Sequence, residues 1–283
     1  WPARSPRAAL VLWQAIGLGG GLAILGAGVT LAVSGLHRSW LAGVAALPDA
    51  VLGGSGVPGP GLLGWAGVAL TLVAGVWLAT VAAVSTARLL RVRREHRQRI
   101  DLLAEEVPAA ELAAARPAGP GGVPAGRTQV RLVNHPLVAA YCLPGVRPRI
   151  VLSQGAIDAL APDQLTAVVM HEHAHARGQH HLVIQPFRAW QQTFPFLPAA
   201  RRATAAVELL VEVTADDVAR RHCGPAPLAA ALAALTEPGD EQIAARMARL
   251  GAAPRPLPRL AAAAVCAAAI VLVALPPVIL LAS

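Results

Sequence analysis

The sequence predicts a mainly helical membrane protein that also carries a small α+β domain. Of its 283 residues, 55% are hydrophobic and 14% are charged, whereas an ordinary soluble domain has about 25% charged residues. Three uncharged stretches each exceed the roughly 20 residues that cross a bilayer, and helical and short β-type patterns lie between the second and the third. This composition excludes a disordered chain, because disorder needs low hydrophobicity and high charge.

The apolar stretches divide the chain into six segments. Two transmembrane helices joined by an external loop come first, followed by a basic juxtamembrane helix with a linker, the α+β domain, and a linker with a third transmembrane helix. In this order the segments span 1–36, 37–61, 62–85, 86–128, 129–253 and 254–283. The first of them also includes the short N-terminal segment.

Arginines lie beside the apolar stretches and indicate the topology. Six of them fall between Arg88 and Arg99, directly after the second stretch. Four more precede the third stretch: Arg246, Arg249, Arg255 and Arg259. The positive-inside rule places both flanks in the cytoplasm. We therefore expect a multi-pass protein of the inner (plasma) membrane, in contact with membrane lipid, with a cytoplasmic α+β domain. The basic run has no interleaved aromatic residues, so we expect no direct nucleic-acid binding.

One segment carries the residues of a zinc site. Pro162 suits the first turn of a helix, and His171-Glu172-x-x-His175 follows on the same helix. Because His171 and His175 are four residues apart, both imidazoles project from one face and can bind the same Zn²⁺. Glu172 lies about 100° around the helix, where it can reach a water at the metal. The motif predicts Glu172 as a catalytic base, and a histidine-rich helix facing solvent is the alternative.

A catalytic zinc ion needs a third protein ligand. Glu208, Glu212 and Asp216 follow one another at four-residue spacing on one face of a predicted helix. One of these acids can be the ligand while another hydrogen-bonds a zinc histidine, or all three can form a solvated face. The spacing alone does not choose between Glu208 and Glu212. His180 and His181, beyond the expected end of the zinc helix, are interpreted as structural residues, and the alternative is that one of them approaches the site.

An ordered set of motifs resembles the BlaR/MecR-like membrane metallopeptidases, most closely the actinobacterial type without an external sensor domain. The motifs are Ala140–Gly145, Arg149–Ser153, His171–His181 and Glu212–Asp216. HtpX-like peptidases share the Glu-x-x-x-Asp element and are more distant. The resemblance implies a gluzincin zinc-peptidase fold for the cytoplasmic domain, with a small edge-strand sheet.

The resemblance also implies the roles of individual residues. His171, His175 and Glu212 would hold one Zn²⁺ per chain, with Glu172 as the base and Asp216 in support. Four further residues would form an edge strand, to which an extended substrate adds as another strand. They are Arg149, Ile150, Val151 and Leu152.

By the same resemblance, the substrate would be a cytoplasmic transcriptional repressor of the BlaI type. A zinc metalloendopeptidase would cleave it in a signalling pathway of regulated proteolysis. Whether the chain forms a homodimer is left open. An HtpX-like quality-control protease and a non-catalytic zinc-binding membrane scaffold remain as alternatives. Family members usually have one more membrane helix ahead of the first one here, so we expect that this chain lacks it.

Overall fold

The computed structural model describes most of the chain. The described ranges are 1–36, 39–53, 59–107, 129–145, 147–236, 240–252 and 257–282. Three expected features lie outside them: the linker at 108–128, the part of the external loop at 54–58, and Arg255 in the flank of the third apolar stretch.

The chain divides into two compact units. The apolar unit comprises Ala8–Thr86 and Pro258–Ser283, and the polar unit comprises Trp1–Arg7 and Ala87–Leu257. The elements in chain order are a 3-10 turn Pro2–Arg4, α1 Pro6–Val33, α2 Trp40–Leu52, α3 Leu62–Leu103, β1 Ala104–Val107, β2 Gln129–Val133, β3 Ala140–Leu143, β4 Arg149–Ser153, α4 Gln154–Ala159, α5 Pro162–Arg177, α6 His180–Thr193, α7 Pro198–Cys223, α8 Pro225–Leu235, α9 Glu241–Gly251 and α10 Arg259–Ala282.

Within the described ranges, three helices are long and apolar enough to cross a membrane, by length and composition. They span Pro6–Val33, Leu62–Leu103 and Arg259–Ile279. Their large side chains have little protein around them, and Leu62 and Trp77, for example, remain 89% and 52% exposed. A bilayer would cover such side chains, so the three helices suggest membrane insertion.

Within the apolar unit, α1 and α3 meet at glycines. A Cβ atom on Gly67 would collide with the backbone of Ala32, and one on Gly28 would collide with Thr71. The Thr71 hydroxyl instead donates to the Gly67 carbonyl over 2.9 Å. Small residues at this contact let the two helix backbones approach closely, as they do in membrane helix pairs.

The segment expected to be an external loop contains a helix, so the loop prediction is wrong for residues 40–52. The Ser39 hydroxyl accepts a hydrogen bond from the Ala42 N–H at the start of α2, and Gly53, with φ 76°, ends the helix. The loop prediction depended on the glycine and proline content of 39–61, but most of these residues follow α2. The Ala- and Leu-rich part before them favours helix.

The polar unit contains a four-stranded mixed sheet with the order β1-β2-β4-β3. β1 pairs antiparallel with β2, β2 pairs parallel with β4, and β3 pairs antiparallel with β4. In the last pair Tyr141 lies opposite Val151. In the described sheet, the two strands with an open edge are therefore β1 and β3.

The expectation that Arg149, Ile150, Val151 and Leu152 form an edge strand is wrong. These residues lie in β4, which has β2 on one side and β3 on the other. Ile150, Val151 and Leu152 are each 1% exposed. A short run that is apolar at successive positions is typical of an interior strand, because both of its faces are buried.

Helix α5 is the central helix of the polar unit. On one side Leu165, Val168 and Val169 pack into a core cluster with Ile150 and Leu152 of β4. On another side Ala167 and Met170 pack into a second cluster, with residues of α8 and α9. Apolar contacts on both sides fix the rotation of the helix about its axis, which determines where its histidines point.

The end of α3 is attached to the β3–β4 hairpin. Ile100 packs with Leu143 and Val151, and the Arg97 guanidinium donates to the backbone carbonyl of Pro144 at 3.1 Å. His96 Nε2 lies 3.0 Å from the Tyr141 hydroxyl. These contacts hold β3, one of the two strands with an open edge, in place.

Candidate metal centre

The start of α5 is defined by local sequence. Pro162 occupies the first turn, and Asp163 beside it suits the positive end of the helix dipole. The Gln164 side chain accepts a hydrogen bond from the N–H of Ala161 at 3.2 Å. Because the start and the rotation of α5 are both fixed, the last two turns present His171 and His175 towards α7.

His171, His175 and Glu212 converge between α5 and α7. Their nearest donor atoms all lie within 4.8 Å of one another. The two Nε2 atoms are 3.0 Å apart. The Glu212 carboxylate oxygens lie 3.3 Å from His171 Nε2 and 3.4 Å from His175 Nε2.

This geometry fits a zinc ion. Zn–N and Zn–O bonds of about 2.0–2.1 Å in a tetrahedral arrangement place ligand atoms about 3.3 Å apart, and the three observed separations are close to that value. Two imidazoles and one carboxylate are a donor set that catalytic zinc sites use. The residues present are therefore a possible three-ligand zinc site.

Each of the two histidines has a second contact on its Nδ1 atom. His171 Nδ1 lies 3.0 Å from Asp216 Oδ1, although the contact does not have the angles of a hydrogen bond. His175 Nδ1 lies 3.0 Å from His180 Nδ1. Such outer contacts determine which ring nitrogen faces a metal, and here both Nε2 atoms face Glu212.

Arg246 joins the carboxylates from the side of α9, and sequence reasoning missed it. Its guanidinium donates to both oxygens of Asp216, over 2.8 and 2.7 Å, and lies 3.0 Å from Glu212 Oε2. Arg246 had been counted among the arginines flanking the third apolar stretch, but it is 6% exposed. Helix periodicity places Arg246 on the same face as Ile243 and Leu250, which could have indicated that it is buried. A buried arginine requires an acidic partner.

Burial and neighbouring charges shift the pKa values of His171, Glu212 and Asp216. Burial alone would raise the pKa values of Glu212 and Asp216, but contacts with His171 lower both, aided by His175 at Glu212 and by Arg246 at Asp216. Burial would lower the pKa of His171, yet Asp216 and Glu212 raise it to about 9 in the metal-free protein. A metal must displace the proton that His171 then holds, so metal binding is coupled to proton release.

Glu172 lies beside the three-residue group, at the open edge of the sheet. Burial raises the pKa of its carboxyl, while His171 and His175 offset part of that effect. The backbone N–H of Cys142 in β3 also lowers the pKa of this carboxyl. The placement beside the group is what a general base for a metal-activated water requires.

Other candidates lie apart from this group. The Glu208 carboxylate binds Arg188 at 2.8 Å, so of Glu208 and Glu212 it is Glu212 that lies against both histidines. Within the described residues the grouping that could hold a metal contains neither His173 nor His181. The Tyr141 hydroxyl is engaged with His96.

Comparison with known proteins agrees with this chemistry. No curated protein and no solved structure matches the chain. Residues 110–234 match the model of Peptidase family M48, a stretch that includes α5 and α7 but ends before Arg246. This match supports a metallopeptidase of family M48, a zinc-dependent family, for the part of the chain that contains the candidate metal centre.

Proposed function

We propose that the chain is an integral membrane zinc endopeptidase that cleaves a cytoplasmic protein, a transcriptional repressor of the BlaI type within a signalling pathway. The observation that carries the proposal is the convergence of His171, His175 and Glu212 beside Glu172 at an open sheet edge. The family match supports a metallopeptidase, and the BlaR/MecR-like resemblance supports the repressor as substrate.

The residues of the centre divide the chemistry among them. Zinc held by His171, His175 and Glu212 would lower the pKa of a water to about 7 and polarise the scissile carbonyl. Glu172 takes a proton from the attacking water and passes it to the leaving amine. Asp216 holds the first histidine by its Nδ1 side.

The open edge of β3 supports an extended substrate. The backbone N–H of Ser153 donates to the Ala139 carbonyl over 3.0 Å. In an antiparallel pair, residues that bond to the partner strand alternate with residues that do not. Ala140 and Cys142 therefore direct their backbone groups away from β4. A substrate strand would therefore bond to the backbone groups of Ala140 and Cys142.

The basic part of α3 supports a cytoplasmic peptidase region. Arg88, Arg91, Arg94 and Arg99 are exposed and follow the apolar part of the helix. An Arg94→Cys variant in spheroplasts should resist a membrane-impermeant thiol reagent until the membrane is permeabilised. Labelling of intact spheroplasts at this position, above the level of the native cysteines, would contradict the topology.

A Glu172→Gln variant tests the mechanism. Loss of the base should lower kcat/KM for cleavage of the candidate repressor by about 10²–10⁴-fold, while about one zinc per chain is retained. Glu208→Gln is the matched control, since it makes the same change on α7 at an acid that binds Arg188. Unchanged cleavage in Glu172→Gln would reject the mechanism. A zinc-loaded wild type that cleaves nothing would instead favour the scaffold.

A quality-control protease of the HtpX-like kind is the second candidate. The Glu212 and Asp216 contacts favour it equally, since HtpX-like peptidases share that element, and the family match is broader than the BlaR/MecR-like resemblance. A proteomic comparison of cells carrying wild type and Glu172→Gln separates the two. Repressor fragments on induction support the signalling protease, and accumulation of damaged membrane proteins supports the alternative.

A further inference from the structure

The turn between α5 and α6 returns the chain to the metal centre. α5 ends at Arg177, and after Gly178 and Gln179 the helix α6 begins at His180. Gln179 has φ 45° and ψ 39°, and among the described residues it is the non-glycine residue with a positive φ. Such a conformation is uncommon outside glycine and persists where the surroundings enforce it.

The turn brings the imidazole of His180 against that of His175. The His180 residue is 7% exposed, and the two ring centroids are 4.8 Å apart with planes at 86°. The Nδ1 atoms lie 3.0 Å from each other. A buried polar ring is thus placed on the side of His175 that faces away from Glu212.

The direction of this hydrogen bond follows from the other ring nitrogen. His175 Nε2 faces His171 Nε2 and the Glu212 carboxylate, so it must offer a lone pair if it binds a metal. A neutral His175 then carries its proton on Nδ1. When Nε2 binds a metal, that N–H would donate to His180 Nδ1, which would be the acceptor.

Gly178 makes room for the His180 ring. A Cβ atom at residue 178 would collide with the ring atoms Nε2 and Cδ2 of His180. The backbone of Gly178 has φ −76°, which any residue can adopt. The glycine is therefore required by space and not by its backbone conformation, in contrast to Gln179.

We propose that His180 is a positioning residue that orients His175 for metal binding, an inference that rests on the proposed zinc site. His171 has a carboxylate, Asp216, on its Nδ1 side, and His175 has a second imidazole in the equivalent place. Contacts of this kind fix the tautomer and the ring orientation of zinc histidines, and their loss typically lowers metal affinity by 10–100-fold. The proposal favours the alternative that His180 approaches the site over a purely structural role.

The chain offers matched variants for a test. His180→Phe keeps a ring and removes the acceptor, whereas His180→Asn places an amide oxygen close to the position of Nδ1. Gly178→Ala retains the acceptor and displaces it. His181→Phe changes the neighbouring histidine of α6, which lies outside the three-residue group. All four are made in the full chain, purified in detergent.

The primary readout is the zinc dissociation constant, measured by competition with a chelator. We expect His180→Phe to weaken zinc binding by about 10–100-fold, Gly178→Ala to weaken it less, and His180→Asn and His181→Phe to stay within about threefold of the wild type. Thermal unfolding of the metal-free variants serves as the fold control. The visible absorption of the Co²⁺-substituted protein should change in His180→Phe and recover in His180→Asn.

The outcomes separate this inference from the proposed function. If wild type binds one zinc and His180→Phe binds it equally well, the positioning role is wrong while the zinc site stands. If His180→Asn keeps an intact fold but binds zinc as weakly as His180→Phe, His180 does not act by accepting a hydrogen bond from His175. If wild type binds no zinc, the proposed function fails and the inference fails with it.

Discussion

Two arginine–aspartate pairs join α7 to α9, and their aspartates are adjacent in sequence. Asp216 binds Arg246, with side chains 2% and 7% exposed, and Asp217 binds Arg249, with side chains 16% and 21% exposed. Both contacts are bidentate. They differ in their further partners, which shows that the same chemistry serves two purposes.

The inner pair shares its groups with the candidate metal centre. Asp216 contacts His171, and Arg246 contacts Glu212. The outer pair is completed by Arg220 at 3.2 Å, and Arg249 also donates to the Ala3 carbonyl at 3.1 Å. The outer pair therefore fastens α9 and the N-terminal turn to α7, whereas the inner pair also holds two residues of the centre.

The largest difference is expected when the two arginines are replaced in turn. Arg246→Leu removes the guanidinium from the buried Asp216 carboxylate and from the partly buried Glu212, and leaves His171 as the cationic group that still contacts both. This change should lower the free energy of unfolding of the metal-free protein by up to about 3–5 kcal/mol. Arg249→Leu breaks a partly exposed pair and should cost about 1 kcal/mol or less. Thermal unfolding of the full chain in detergent, followed by circular dichroism, measures both. Equal shifts of the two midpoints would remove the distinction between the pairs.

A second comparison concerns zinc rather than stability. Asp216→Asn keeps the size of the side chain but removes the charge beside His171, so we expect zinc affinity to fall by about 10–100-fold. Asp217→Asn should leave zinc affinity unchanged, because Asp217 binds Arg220 and Arg249 and no histidine. Chelator competition on both variants gives the answer. A comparable loss in Asp217→Asn would mean that the outer pair also supports the metal site.

The inner pair should also respond to acid. The folded pKa of Asp216 lies below its ordinary value because His171 and Arg246 outweigh the effect of burial. Its contribution to stability is therefore present above the unfolded pKa of about 3.9 and is lost as pH falls through the lower folded value. In the metal-free protein, the unfolding midpoint of the wild type should fall more steeply below pH 4 than that of Asp216→Asn. Parallel curves would contradict this origin of the stabilisation.

The smallest effect is expected at Glu208, one turn before Glu212 on α7. Its partner Arg188 has a side chain that is 61% exposed, and such pairs contribute about 0–1 kcal/mol. Glu208→Gln should therefore change the unfolding midpoint little and leave zinc affinity at the wild-type value. A loss of zinc in this variant, rather than in Glu212→Gln, would reverse the choice of the third ligand.

The centre was largely predictable because most of its residues are linked by helix periodicity. His171 and His175 share a face by their spacing, and so do Glu212 and Asp216. The spacing left Glu208 and Glu212 equivalent, since the choice depends on how α7 is placed against α5. The contact between His180 and His175 depends on the backbone of Gln179, which no local pattern indicated.

The strand order and Arg246 were not predictable for a different reason. An apolar strand such as β4 does not reveal how many neighbours it has, and here the extra strand β1 comes from the end of α3. Arg246 belongs to a group of arginines near an apolar stretch, and the topology rule interprets all of them alike. Its role depends on acids 30 and 34 residues earlier in the chain, which are brought near only by the packing of α9 on α7.

The attachment of Arg249 to the Ala3 carbonyl has a practical consequence for the design of a fragment that contains the candidate metal centre. A fragment spanning 129–253 would keep Arg249 but lose this acceptor, and it would also lose Arg97 and Asp101, which hold the β3–β4 hairpin through Pro144 and Arg149. The segments that pack as one compact unit are instead Trp1–Arg7 together with Ala87–Leu257, so a fragment meant to keep the candidate metal centre intact has to include both. Helix α3 contributes residues to this unit and to the apolar unit, so the two units share one continuous backbone element.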